Sequence, residues 1–194
     1  MNFPNNQYHI AFLALGSNTP LSNLSSAEIV SAALDAILSN GITITLKSNW
    51  WQSPAFPTGS GADYINGVVA ICTHFSPYEL LHILHNVEQK LGRIRTEHRW
   101  GARTCDIDLL SYNDCIAPDK KTIRAWIDDP MRNDTPDCLM LPHPRIQNRA
   151  FVLAPLVEIA PKWQHPILKK TASTLLKELP QESMDGMQKL KIKP

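Results

Sequence analysis

The segment that most constrains this chain is residues 105–110, where Cys105, Ile107 and Leu109 alternate with Asp106 and Asp108 before a further leucine. Successive side chains of a strand point to opposite faces, so the two aspartates share one face and the three apolar residues share the other. One side of such a strand belongs in a core. The other side carries two neighbouring carboxylates, which repel unless a positive partner sits between them. A hard divalent ion with oxygen ligands is the partner that fits best. Arg93, Arg95, Arg99 and Arg103 stand just upstream, and guanidinium groups beside such an ion point to phosphate, whose oxygens they bind bidentately. Asp-x-Asp is a short pattern, and a solvated strand end competes with the metal reading. The arginines, together with Trp100-Gly101, favour the metal.

Composition narrows the class. With 194 residues, 43% hydrophobic and 19% charged, the chain reads as a single soluble domain, 1–194, with a sizeable core. A net charge of +1 argues against a broad nucleic-acid footprint, so the basic cluster near Arg93 is aimed at something small. Cys72, Cys105, Cys115 and Cys138 form neither a C-x-x-C pair nor zinc-ligand spacing. Cys72 and Cys105 sit in apolar strand patterns and read as buried free thiols, which suits a reducing, cytoplasmic setting. The first residues lack a basic n-region and their apolar run is broken by Gly16-Ser17-Asn18, so neither a signal peptide nor a membrane span is expected.

Taken in order, residues 8–15 form an apolar run of strand length, buried on both faces, and Gly16-Ser17-Asn18 turns the chain. Residues 24–38 have helical spacing and stop at Asn40-Gly41. Residues 42–52 read as one strand, 53–61 as a loop able to close over a ligand, and 63–73 as the next strand, in which Gly67 marks a bulge or a close approach. Ser76-Pro77-Tyr78-Glu79 opens a helix that ends at Gly92, with Glu88 at the edge of its apolar stripe, facing either a ligand or water. Residues 117–137 form a polar surface excursion, partly helical. His143, held between two prolines, has a preset backbone direction. A short helix ends at Pro161, a weak helix spans 171–179, and residues 180–194 are expected to be a mobile tail. The order strand-helix-strand-strand-helix-strand is α+β and ferredoxin-like: an antiparallel sheet with helices on one face, followed by C-terminal helices.

Together these pieces resemble the hydroxymethyl-dihydropterin pyrophosphokinase family. The resemblance rests on Leu15-Gly16-Ser17-Asn18, Ser53-Pro54, Asp63-Tyr64-Ile65-Asn66, Glu88 with Leu91-Gly92-Arg93, Arg99-Trp100-Gly101-Ala102-Arg103-Thr104, Asp106-Ile107-Asp108, Pro142-His143-Pro144-Arg145 and Arg149-Ala150-Phe151. They follow the family order over a core of about residues 8–161. The departures are His85, where some members carry glutamine, Thr96 and Glu97, where some carry a basic residue, and the long 117–137 insert.

The resemblance implies that the pterin hydroxymethyl oxygen attacks the β-phosphorus of ATP and AMP leaves. It implies two Mg²⁺ ions on Asp106 and Asp108, with Asp108 the candidate acceptor of the hydroxyl proton. Nucleotide and phosphate contacts would come from Glu88, Arg93, Arg103, Ile107, His143 and Arg149, of which Arg93, Arg103 and His143 act in catalysis. The pterin would stack between Tyr64 and Phe151, with Asn66, Ser53, Ala55 and Phe56 on its edge and Trp100 as a lid. ATP and the pterin are the expected partners of a monomer that binds neither nucleic acid nor membrane. Two rival readings are a nucleotide-sugar transferase, which would need a doubly wound domain, and a ligand- or RNA-binding ferredoxin-like module, which would want a broad basic face.

Overall fold

The computed structural model describes residues 7–55, 61–93, 103–132, 134 and 136–190. Its first half runs β1 (His9–Ser17), α1 (Ser26–Ser39), β2 (Thr43–Lys47), β3 (Trp51–Ser53), β4 (Tyr64–Thr73) and α2 (Pro77–Lys90). The second half runs β5 (Asp106–Tyr112), α3 (Lys120–Asp128), α4 (Ala150–Ile159), α5 (Ala172–Glu178) and β6 (Gln188–Lys189). The strands form one sheet in the order β5-β1-β4-β3-β6, with β2 also on β4, and the pairings are antiparallel. This is the expected α+β, ferredoxin-like arrangement.

Residue alternation along β1 decides what covers each face. Ala11, Leu13 and Leu15 are buried in one cluster with Ile29, Val30, Ala33 and Ile37 of α1 and with Leu80, Leu84 and Val87 of α2. Phe12 and Ala14 point the other way, against a second cluster containing Val68, Leu110, Val152, Leu153, Leu156 and Leu175. The helices α1 and α2 therefore share one face, as expected, while the C-terminal helices α4 and α5 close the opposite one. Both α1 and α2 start at capping boxes, Ser25 with Glu28 and Ser76 with Glu79, which satisfy amides the first turn leaves unpaired. Gly41, at φ +77°, carries the chain out of α1 in the left-handed conformation that glycine adopts without steric cost.

Three local expectations change. Residues 42–52 are two strands, because Ser48 leaves the ladder pattern: its Oγ accepts the Val68 N–H at 3.0 Å. That break turns Trp50 onto Gly67, where a Cβ would come within 2.4 Å of the indole ring, so Gly67 serves close approach. The insert is anchored as well as partly helical: α3 buries Ile123 and Trp126 against Met140 and Ile167. Finally, the tail read as mobile is tied down as far as Leu190. Its strand β6 pairs with β3, and the Leu190 N–H donates to the Trp50 carbonyl at 2.8 Å. The four cysteines are free thiols; Cys105 is buried as expected, whereas Cys72 is only partly so. Among the described residues no helix is long and apolar enough to cross a membrane.

Candidate active site

One row of residues crosses the sheet on the face that α4 covers: Asp106 pairs with Gly16, Gly16 with Asn66, and Asn66 with Trp51. With strands about 4.8 Å apart, Asp106 and Asn66 stand roughly 10 Å from each other. Nothing rises between them, since the intervening residue is glycine. A Cβ at Gly16 would meet Asn66 Oδ1 at 3.1 Å. One end of the row is charged and the other carries amide, hydroxyl and aromatic groups.

At the charged end, Asp106 and Asp108 share a face, and Ile107 turns into the core at 3% exposure. The carboxylate of Asp106 is gripped by Arg93 and Arg103, and Arg93 also pairs with Glu88. Asp108 Oδ2 lies 3.1 Å from Arg149 Nη1 and 3.8 Å from His143 Nε2. Glu88 does not face water: it is 1% exposed, and its Oε1 accepts the Ile107 N–H at 2.8 Å. It thereby docks the end of α2 on β5 and holds Arg93 over the aspartates. Ile107 can offer a ligand only main-chain atoms. Three carboxylates thus face three guanidiniums.

His143 is set by the sheet. A register shift in the β1–β5 pairing leaves Leu110 without a partner on β1, and the Leu110 carbonyl accepts the His143 N–H at 2.8 Å. The ring's Nδ1 accepts the Arg145 N–H at 3.2 Å, so the neutral ring carries its proton on Nε2, facing Asp108. Burial pushes the His143 pKa down to about 4, helped by Arg149 and Arg145 against the pull of Asp108. At neutral pH the ring is a hydrogen-bond donor to the site and carries no charge. Burial works against the charge of Asp108, but His143, Arg149, Arg103 and Arg93 outweigh it and hold the carboxyl below its usual range.

At the other end, Asn66 and Ser53 are buried, and Asn66 Nδ2 donates to Ser53 Oγ at 2.7 Å. Tyr64 pairs with Ser53 and so lies on the same face; burial first raises its phenol pKa and keeps it neutral. Ala55 is buried next to them in the chain. Phe151 stands in the first turn of α4, 37% exposed, with the Arg149 guanidinium carbon 5.6 Å from its ring centre. Phe56, Trp100, Arg95 and Arg99 lie outside the described residues. His85 lines a cleft beside Glu88 and Arg93, shared with His82 and Gln89.

Sequence reasoning assigned no role to two residues of this region. Asn18, read as part of a turn, brackets the main chain of Arg103: its N–H donates to the Arg103 carbonyl at 3.1 Å and its Oδ1 accepts the Arg103 N–H at 2.9 Å. Glu158 joins α4 to β3 through the Trp51 indole N–H at 3.2 Å. Neither carries a local signal, because each partner is remote in sequence.

Comparison with known proteins gives the family. Residues 12–161 match the family model described as 7,8-dihydro-6-hydroxymethylpterin-pyrophosphokinase. A 2-amino-4-hydroxy-6-hydroxymethyldihydropteridine pyrophosphokinase of Synechocystis is 41% identical over 180 residues, covering 92% of this chain and 80% of that protein. Its Haemophilus influenzae namesake is 38% identical over 154 residues, covering 77% of this chain and 81% of that protein. Among solved structures, the wild-type HPPK-DHPS of Plasmodium falciparum superposes with a TM-score of 0.62 at 16% identity over 89% of this chain. That match takes in 45% of the Plasmodium chain, so this protein spans less than half of it, and at such identity the likeness bears on the fold alone. With residues 12–161 matched and identities of 38–41% to two curated members, the chain belongs to the 7,8-dihydro-6-hydroxymethylpterin-pyrophosphokinase family.

Proposed function

We propose that this protein transfers a pyrophosphoryl group from ATP to the hydroxymethyl oxygen of 6-hydroxymethyl-7,8-dihydropterin, as a step of folate synthesis. The observation that carries the reading is the row Asp106–Gly16–Asn66, which sets a carboxylate and an amide on one face of the sheet with only a glycine between them. In this reading Asn66 and main-chain groups near Ser53 and Ala55 hold the pterin edge, and Tyr64 and Phe151 stack on its two faces. The hydroxymethyl group then lies toward Asp106 and Asp108.

The donor set fits a hard divalent cation. Asp106 and Asp108 offer oxygen ligands, and the pull of the surrounding arginines keeps Asp108 ionised. Among the described residues no group of three or more His, Cys, Asp or Glu could hold a metal ion, so a cation on the two aspartates would take its other ligands from phosphate and water. Asp106 and Asp108 would hold two Mg²⁺ ions, which supply charge neutralisation to the triphosphate. With metal on the carboxylates, Arg93, Arg103 and Arg149 would turn to phosphate oxygens, which guanidinium groups bind bidentately. His143 Nε2–H donates to the phosphate chain or to the departing AMP.

The bond made joins the pterin oxygen to the β-phosphorus. The bond broken is the one from that phosphorus to the bridging α,β oxygen, which leaves on AMP. The hydroxyl proton passes to an Asp108 oxygen. Alignment and electrostatics carry this chemistry, as in other phosphoryl transfers. Incubation with hydroxymethyl-dihydropterin, ATP and Mg²⁺ tests it. AMP formed in equal amount with pterin diphosphate is the expected result, and release of ADP, or no nucleotide cleavage, overturns it.

A further inference from the structure

The proposed pterin site has jaws on two separate elements. Tyr64, Asn66 and Ser53 belong to the sheet, whereas Phe151 belongs to α4. The width between them depends on how α4 is tied to the sheet, and among the described residues there are two polar ties. Near its start, Arg149 pairs with Asp108. Near its end, Glu158 collects four donors. Its Oε2 accepts the Asn49 N–H at 2.8 Å and Asn49 Nδ2 at 3.0 Å. Its Oε1 accepts the Trp51 indole N–H at 3.2 Å and meets Lys189 Nζ at 2.6 Å.

Glu158 follows Phe151 by seven residues, two helical turns, so both point from the same side of α4. Trp51 belongs to the same cross-strand row as Asn66. The remaining donor is delivered from outside the family match, which ends at residue 161. Lys189 arrives on β6, and the chain leading to β6 packs closely: Gly186, at φ +73°, lies so near Pro54 that a Cβ would fall 2.7 Å from the proline Cγ. Pro54 separates Ser53 from Ala55.

We propose that Glu158, latched by Lys189 of the C-terminal strand, is a positioning residue for the pterin. It sets the gap between Phe151 and the sheet wall, and so sets ring affinity without touching nucleotide chemistry. This rests on the pterin site proposed above. Were Asp108 to hold the metal, the Arg149 tie would loosen, and Glu158 would remain as a polar anchor of α4. An acceptor-only group is required, because all four partners are donors. Glu158→Gln would aim an NH₂ at one pair of them.

The test uses the full chain with Glu158→Gln, Lys189→Ala and Lys189→Arg, measuring pterin affinity by fluorescence titration together with kcat and KM for both substrates. Glu158→Gln should weaken pterin binding about tenfold while KM for ATP and kcat stay within about twofold. Lys189→Ala should shift pterin binding in the same direction by about threefold, and Lys189→Arg should restore it. If Glu158→Gln does not fold, the lysine pair decides alone. Unchanged pterin affinity in Lys189→Ala, or equal rises in both KM values, overturns the latch while leaving the reaction intact. A wild-type protein that makes no AMP from these substrates overturns the reaction, and the latch with it.

Discussion

The two ends of the site are built on opposite physical terms. At the β5 end Glu88, Asp106 and Asp108 face Arg93, Arg103 and Arg149, and the nucleotide and metal proposed for this end would have to displace partners already engaged. At the β3–β4 end, where the pterin ring is proposed to sit, the supports are already in place: Ser53 under Asn66, Gly16 beneath its amide oxygen, Glu158 behind Trp51. The first end is a charge balance that exchanges partners; the second is a preset template. Losses at the charged end should therefore appear mainly in the rate of the chemical step. Losses at the template should appear mainly in affinity for the ring.

The largest effect is expected at Asp108. Asp108→Ala removes an oxygen ligand and the proton acceptor, so kcat should fall about a thousandfold or more while pterin affinity changes less than about threefold. Stopped-flow turnover beside equilibrium titration reads both, and near-normal turnover would remove the metal role. Arg103→Ala comes next. Its guanidinium is held on Asp106; if it acts on phosphate as proposed, kcat should drop about a hundredfold and KM for ATP rise less than about tenfold. Equal losses in the two constants would mean ground-state binding only, and the charged end would then behave like the template.

Asn66→Ala probes the template itself. It deletes the ring-reading amide and strips Ser53 Oγ of a buried partner at 2.7 Å. Pterin affinity should fall about thirtyfold and kcat no more than about threefold. A collapse of kcat as deep as that of Asp108→Ala would erase the distinction between the ends.

What could be read from the sequence follows the range of each interaction. The shared face of Asp106 and Asp108, the capping box at Ser76 and Glu79 and the stop at Gly41 are set by neighbours a few residues apart, and all are legible. The charged cluster was legible as a cluster, but its wiring was not. Glu88 serves the Ile107 amide 19 residues away, and Asn18 serves Arg103 across 85 residues. Lys189 looked like part of a loose basic tail because its strand is two residues long and its partner, Glu158, lies on another element. In the insert, Ile123 and Trp126 stand one helical turn apart, a signal for α3 that the surrounding charge concealed.

The smallest effect separates the site from the scaffold beneath it. Two histidines, His143 and His165, have pKa values pushed down to about 4 by burial. An unfolded chain protonates them near 6.5. Between pH 6.5 and 4 the unfolded state therefore binds more protons, and stability declines as pH falls. His165 is fully buried away from both ends, and its Nδ1 accepts the Ile167 and Leu168 N–H groups at 3.2 Å each, bonds that a protonated Nδ1 could not keep. His165→Asn keeps an acceptor there and removes the titration. The slope of unfolding free energy against pH should flatten by up to about 1.4 kcal/mol per pH unit in that window. The profile of kcat/KM against pH should not move, because His165 touches neither end. A shifted activity profile would mean that the layer under α4 and α5 sets the charge balance at Asp108, and the charged end would no longer stand apart from its scaffold.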